Sequence, residues 1–169
     1  MNEDDIFNHT KDAYLHLVRP TRLGDSYRQE IVAVIAFASA VPNELVSAMI
    51  AGSSWRERLL GLCMAMTKPS GVFVQPMLQS LRDPRGISIV PACAALAVLA
   101  KQGIYDMPAT FTEMFDRSVF DGEIGWAADK AVQSAGLREV NVQERGPNYG
   151  QIFEDHVVLY HWAQSRSVE

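Results

Sequence analysis

The sequence predicts an all-α domain of about eight helices, stacked as HEAT-like antiparallel pairs with an irregular C-terminal cap. Leu, Ala and Val dominate the apolar residues, and aromatic residues reach only 9%, a mixture that favours helices over strands. Proline, glycine and polar stretches divide the chain into segments of helical length. Segments 31–41 and 87–100 are apolar on more than one face, so other helices must cover them on both sides.

The helix boundaries follow from breakers and capping signals. Pro20 ends the first segment, Gly52 the third and Gly136 the eighth. Pro76 and Pro91 each fall in the first turn of a segment, where a missing amide donor is tolerated. These signals predict helices at about 9–19, 26–40, 43–51, 55–67, 72–82, 87–102 (starting near 90), 109–119 and 122–135.

Small-residue helices recur 35 residues apart, at 60–66, 95–101 and 130–136. A period of this size is typical of a helical solenoid, and a non-repetitive helical bundle is the alternative. We expect one domain over 1–169, with the helical stack in 1–137 and a loop plus a C-terminal capping element in 138–169. The loop is expected at 138–151, and 152–162 fits either a helix or a strand.

Charge and hydropathy limit the classes of partner. The net charge of −5 disfavours nucleic acid, because phosphate binding needs a basic surface, and it suits a basic protein partner. The longest apolar run, 87–100, is shorter than the roughly 20 residues of a membrane span. Cys63 and Cys93 lie in Ala-rich segments and are expected to be small buried hydrophobes. We therefore expect a cytoplasmic protein that does not enter a membrane.

The stretch SSWRERLLG, residues 53–61, combines a helix start with candidate binding residues. Ser54 and Glu57 have the spacing of a capping box. Helical spacing places Trp55 on the core face, while Gly61 lies on the opposite side, where it would allow a neighbouring helix to approach closely.

Two arginines follow Trp55 at the edge of that core face. In one interpretation, Trp55 anchors the core and Arg56 and Arg58 pair with acidic residues at the helix edge. In the other, Arg56 or Arg58 contacts a partner or an anionic ligand beside an exposed edge of Trp55, because Arg and Trp are favoured interface anchors.

Residues 53–61, together with the small-residue helix in 87–103, resemble an uncharacterised group of bacterial all-helical, HEAT-like domains associated with toxin–immunity loci. The resemblance spans roughly residues 45–105. It implies a binding protein, specifically one that neutralises a toxin by occlusion. It extends to Trp55, Arg56, Arg58 and Gly61, and it assigns none of them a catalytic role.

An acidic strip between Ile104 and Gly125 is the second candidate surface. It contains one basic residue, Arg117, and the acidic residues Asp106, Glu113, Asp116, Asp121 and Glu123. Glu113 and Asp116 share a face of the helix predicted there, and Asp121 is expected to cap the next helix. The strip is either a solvated helix face or an interface for a basic partner, whose association such charges would accelerate.

Motifs for catalysis or metal binding do not emerge from the sequence. It lacks a phosphate-binding loop, a nucleophile elbow and zinc-ligand spacing, and His9 and His16 are expected to share an ordinary polar helix face. We therefore expect no enzyme activity, cofactor or metal. The predicted function is non-catalytic protein binding, with an immunity role as its specific form, through Trp55, Arg56, Arg58, Glu113 and Asp116. The alternatives are a scaffold or assembly factor, and a small helical enzyme that uses buried carboxylates or Cys. The oligomeric state stays open.

Overall fold

The computed structural model describes residues 3–10, 12–20, 25–143, 145–146 and 148–166. The regular secondary structure of these residues is entirely helical, which confirms the all-α prediction. Short 3-10 turns precede α6 and α7, and a third occupies Phe111–Met114. The described α-helices are α1 (Glu3–Thr10), α2 (Ala13–Leu17), α3 (Asp25–Ala38), α4 (Asn43–Ile50), α5 (Trp55–Thr67), α6 (Val74–Arg82), α7 (Ile89–Lys101), α8 (Glu123–Ser134) and α9 (Tyr149–Arg166).

Two central helices, α5 and α7, form the middle of the core. Every residue is buried from Arg58 to Thr67 in α5 and from Ile89 to Leu99 in α7. Helices α2, α3, α4 and α9 pack on α5, while α6, α8 and α9 pack on α7. The sequence identified α7 as a helix covered on all sides, but it assigned the same property to 31–41 instead of α5. In α3 the side chains of Val32, Ala33 and Ala36 are exposed.

Six of the predicted helices, those that became α3 to α8, begin and end within two residues of the observed bounds. Capping signals explain this agreement. Gly103 and Gly136 have φ of 69° and 74°, and this left-handed conformation ends α7 and α8. The capping box of Ser54 and Glu57 is present at the start of α5.

The single helix predicted at 9–19 is wrong, because α1 ends at Thr10 and α2 begins at Ala13. His9 and His16 therefore lie on different helices and do not share a face. His9 stacks on Phe37 with ring centroids 4.7 Å apart, and His16 Nε2 lies 2.6 Å from a carboxylate oxygen of Glu30. Both rings thus attach their helices to α3.

The α-helix predicted at 109–119 is also wrong: the segment contains only the 3-10 turn and further turns. Thr110 and Glu113 have the spacing of a capping box, which favoured a helix here, but Thr110 makes no side-chain capping bond. Phe111 and Phe115 instead turn into the core, where their rings meet edge to face with centroids 5.2 Å apart. Burial of two aromatic rings outweighs the local capping signal. Asp121 does not cap α8, since Gly122 occupies that position.

The C-terminal element is a helix of 18 residues, α9, which begins at Tyr149, three residues before the predicted start at 152. Its buried apolar side chains, Phe153, Leu159, Tyr160 and Ala163, belong to the main core. Helices α4 and α5 pack as consecutive neighbours, as do α6 and α7, while α9 packs on both α5 and α7. HEAT-like pairing of these helices stays a prediction.

Gly61 allows the backbones of α4 and α5 to approach closely, as the sequence predicted. A Cβ atom at Gly61 would lie 2.9 Å from the backbone nitrogen of Ile50 and 3.0 Å from Cβ of Met49. Real Cβ atoms essentially never come as close as the first of these distances. Gly61 is therefore a packing requirement of the α4–α5 contact.

Replacing Gly61 with alanine should lower the free energy of unfolding by about 1 kcal/mol, because overpacking costs about 2 kcal/mol in the middle of its usual range and the helical preference for alanine offsets about 1 kcal/mol. Chemical denaturation followed by circular dichroism measures the change. Gly71→Ala is the matched control, since a Cβ there meets nothing closer than 3.7 Å. Equal stability of Gly61→Ala and wild type would contradict the close α4–α5 contact.

Candidate functional site: an aromatic surface and a cleft around Glu123

An arginine lies over two aromatic rings where α2 meets the start of α5. The rings of Tyr14 and Trp55 pack edge to face, with centroids 5.6 Å apart. The guanidinium of Arg56 lies 5.3 Å from the Tyr14 centroid and 5.2 Å from the Trp55 centroid. Both rings are half-buried and Arg56 is exposed. We call Tyr14, Trp55 and Arg56 the α2–α5 patch.

The capping box fixes the backbone that carries this patch. The Ser54 hydroxyl accepts a hydrogen bond from the backbone nitrogen of Arg56 at 3.2 Å, and the Ser54 backbone nitrogen donates to Glu57 Oε2 at 3.4 Å. These bonds satisfy amide groups that a helix start leaves without intrahelical acceptors. Trp55 and Arg56 are therefore presented from a well-defined first turn.

Arg58 is not at a helix edge, in contrast to the prediction, and its side chain is 1% exposed. It does pair with an acidic residue, as one interpretation expected, since its Nη2 lies 3.6 Å from Asp83 Oδ2. Its Nε donates to the carbonyl of Gly52 at 2.7 Å, and Nη1 donates to the carbonyls of Ser80 and Asp83 at 2.9 and 2.6 Å. Burial lowers the pKa of Arg58, while the Asp83 carboxylate opposes that shift. Arg58 joins the loop before α5 to the end of α6, and its guanidinium is not available to a partner.

The predicted acidic pair lies on turns instead of one helix face. Glu113 and Asp116 are both exposed. Asp116 accepts hydrogen bonds from the backbone nitrogen and hydroxyl of Ser118, at 3.0 and 2.7 Å, and these bonds lower the pKa of Asp116. Neither carboxylate shares a hydrogen bond or ion pair with the α2–α5 patch in the described residues. The two candidate surfaces are therefore described as independent groups of residues.

A cleft of about 420 Å³ lies beside the residues that follow α2, Val18 and Arg19, and was not foreseen from the sequence. Apolar side chains of its wall come from distant parts of the chain, namely Val18, Ile87, Val90 and Ile152. Glu123 and Tyr149 also line the cleft, and the Tyr149 hydroxyl donates to Glu123 Oε2 at 3.4 Å. Glu123 is half-buried, so the expectation that it belongs to a solvated acidic strip is wrong. Burial raises the pKa of Glu123, while Arg145 and the Tyr149 hydrogen bond oppose the shift.

A left-handed turn precedes Glu123. Phe120, Asp121 and Gly122 have φ of 51°, 52° and 82°. Positive φ is unfavourable for a bulky residue such as Phe120, and such strain persists only where surrounding contacts hold it. Arg145 donates to the carbonyls of Phe120, at 2.9 Å, and of Asp121. The Glu123 backbone nitrogen also donates to the Phe120 carbonyl, so the turn sets the position of Glu123.

His156 fixes the end of α2 against α9. The imidazole is fully buried, with Nε2 2.8 Å from the carbonyl of Leu17 and Nδ1 2.8 Å from the carbonyl of Ile152. A neutral imidazole can donate to only one of these carbonyls, whereas the imidazolium can donate to both. Burial nevertheless lowers the pKa of His156, against the two carbonyls and the charge of Asp155. Ile152 contributes both to this contact and to the cleft wall.

Both cysteines are free and buried, as predicted. Burial raises the pKa of Cys63 to about 12 and that of Cys93 further still. Thiols in such surroundings are poor nucleophiles, because the reactive species is the thiolate. Among the described residues, no group of three metal-binding side chains comes together. No helix in the same residues has the length and apolarity needed to cross a membrane.

Replacing Arg58 with alanine should lower the free energy of unfolding by about 3 kcal/mol or more, because each buried acceptor left without its donor costs about 1–3 kcal/mol. Arg56→Ala is the control two positions earlier, and loss of its exposed cation–π contacts should lower stability by only about 1 kcal/mol. Urea titrations of the two variants measure the difference. Equal stabilities would show that the Arg58 hydrogen bonds do not hold α5 to α6.

Acidification should destabilise the fold through His156. Its pKa is lower in the folded state, so the unfolded chain binds more protons as the pH falls below about 6.5, the ordinary pKa of histidine. We expect the melting temperature to fall from about pH 8 to about pH 5.5, and to fall less in His156→Gln.

The raised pKa of Glu123 acts in the opposite direction, since it favours the folded state as the pH falls. The same comparison in a Glu123→Gln background removes that contribution. In that background, the proteins with His156 and with His156→Gln are compared for the fall in melting temperature between about pH 8 and about pH 5.5. An equal fall in both would rule out His156 as the source of the pH dependence.

Comparison of the chain with protein-family models, curated proteins and solved structures finds no match. The likeness of residues 45–105 to HEAT-like bacterial domains therefore stays a hypothesis, together with the immunity role it implies. The residues that remain for a functional inference are those of the α2–α5 patch and of the cleft around Glu123.

Proposed function

We propose that this chain is a non-catalytic protein-binding domain that contacts its partner through the α2–α5 patch. One observation supports this proposal above the others: the exposed guanidinium of Arg56 lies over the half-buried rings of Tyr14 and Trp55. Arg, Trp and Tyr are the residues most enriched at binding hot spots. The sequence had indicated Trp55 and Arg56 as candidate binding residues, and Tyr14 of α2 completes the group.

The geometry of the patch suits recognition for two reasons. The aromatic rings are already packed against one another, so binding orders few additional side-chain torsions. Arg56 makes no ion pair within the described part of the chain, so its N–H groups remain available to an acceptor. The planar guanidinium binds a carboxylate through two parallel hydrogen bonds. The partner therefore presents an Asp or Glu side chain beside an apolar or aromatic contact.

The overall charge favours a partner that is basic elsewhere on its surface. The chain carries a net charge of −5, and Glu113 and Asp116 are exposed. Such charges raise the rate of encounter with a basic protein without forming the central contact. In this proposal Glu113 and Asp116 influence association kinetics, while Tyr14, Trp55 and Arg56 supply binding energy.

The more specific form of the proposal is a bacterial immunity protein that blocks a toxin by occlusion, with no covalent step. The resemblance of residues 45–105 supports that form. A scaffold or assembly factor would use the same patch. A toxin-like reading frame beside the gene would favour the immunity role over the scaffold role.

The test begins with capture of a stoichiometric partner from the native host, followed by calorimetry with the purified partner. Arg56→Ala should raise Kd by about 30-fold, the effect of a hot spot worth about 2 kcal/mol. Arg56→Lys should restore only part of the affinity, because an ammonium lacks the planar fork and the stacking surface. Arg138→Ala is the matched control, since that exposed arginine lies over no aromatic ring in the described residues.

The acidic residues provide a separate arm. The double variant Glu113→Gln/Asp116→Asn should slow association and leave the dissociation rate unchanged. A partner that binds Arg56→Ala as tightly as wild type would refute the α2–α5 patch as the contact. Failure of all variants to capture any stoichiometric partner would overturn the protein-binding proposal.

A further inference from the structure

We propose that the cleft around Glu123 binds a small organic amine, with the ammonium group on the Glu123 carboxylate and an apolar body against Ile87, Val90 and Ile152. This site is distinct from the α2–α5 patch, and the inference does not depend on the proposed function. It is drawn from the shape of the cleft, the environment of its carboxylate and the turn that positions that carboxylate.

The cleft has the dimensions and lining of a small-molecule site. Its volume of about 420 Å³ lies within the range of about 300–1,000 Å³ that is usual for ligand pockets. Such pockets combine apolar walls with a few polar groups that orient the ligand. Here Val18, Val90 and Ile152 supply apolar wall, and the half-buried Glu123 supplies a carboxylate.

The carboxylate of Glu123 is incompletely neutralised by its surroundings. Arg145 directs its donated hydrogen bonds to the carbonyls of Phe120 and Asp121. The Tyr149 hydroxyl gives Glu123 one hydrogen bond, at 3.4 Å, whereas an ionised carboxylate can accept about four. A primary ammonium offers three donors and a positive charge, which together match this deficit.

Two charged residues of the cleft wall favour ligands of opposite charge, since Glu123 would bind a cation. Arg19 also lines the cleft, and it would favour an anion. Among the described residues, no ion pair within 4.0 Å joins Arg19 to Glu123. We assign the ammonium to the cleft because the half-buried Glu123 carboxylate accepts a long hydrogen bond from Tyr149, at 3.4 Å, and a cation supplies the further donors that it can accept.

The left-handed turn at 120–122 supports a functional role for Glu123. Two successive non-glycine residues with positive φ are a costly way to enter a helix, and local strain of this kind clusters at ligand sites. The turn places Glu123 at the first residue of α8 and leaves the Phe120 side chain 47% exposed.

The experiment is a titration of the whole protein with three probes of similar size, hexylamine, 1-hexanol and hexanoate, at about pH 8. At that pH a primary amine is protonated and carboxylates are ionised. Amide shifts in the ¹H–¹⁵N spectrum report binding at Ile87, Glu123 and Ile152. We expect saturable shifts with hexylamine, with Kd of about 1–10 mM for a ligand of this size, and weaker binding of the other two probes.

Two variants provide the matched comparison. Glu123→Gln should weaken hexylamine binding at least fivefold and leave 1-hexanol unchanged. Asp121→Asn removes the same charge two residues away, in a position where asparagine tolerates positive φ, and should leave hexylamine binding within twofold of wild type. Retention of hexylamine binding in Glu123→Gln, equal or tighter binding of hexanoate or 1-hexanol by wild type, or the absence of saturable shifts at the cleft would each overturn the proposal.

Discussion

Two helices without a polar face, α5 and α7, determine the arrangement of the others. Because both are buried on all sides, α5 from Arg58 and α7 from Ile89 onward, each must be enclosed by neighbours. Among the described residues six helices pack against one or both of them, namely α2, α3, α4, α6, α8 and α9. The one charge inside α5, on Arg58, is tolerated because three backbone carbonyls accept its hydrogen bonds. That network also connects the loop before α5 to the end of α6.

The contrast between Arg56 and Arg58 shows how far a sequence can be interpreted at this site. Helical spacing placed both arginines near the edge of a core face, and for Arg56 that geometry applies. It fails for Arg58 because α5 has no free edge there: the end of α6, 22 to 25 residues later, supplies its acceptors. The two neighbouring arginines therefore have opposite environments, one at a surface and one in the core, for a reason that only tertiary packing provides.

The other features divide in the same way: those set by local sequence signals were predictable, and those set by tertiary packing were not. Local signals specified the start of α5 through Ser54 and Glu57, its close contact through Gly61, and the ends of α7 and α8 through left-handed glycines. The cleft could not be inferred, because its walls combine residues as distant as Val18 and Ile152. The missing helix at 109–119 has a similar cause, since its phenylalanines follow a distant core instead of a local capping pattern.

The position of α9 affects how the chain folds during its synthesis. This helix covers both central helices, and its His156 contacts the carbonyl of Leu17, 139 residues earlier. During synthesis α5 and α7 are therefore completed before α9, and an apolar side of each stays uncovered until α9 has been synthesised and has docked. Such exposed surface invites association with other chains or with chaperones, and the long sequence separation slows the final docking. The core is therefore shielded from water only after α9, the last described helix, has docked.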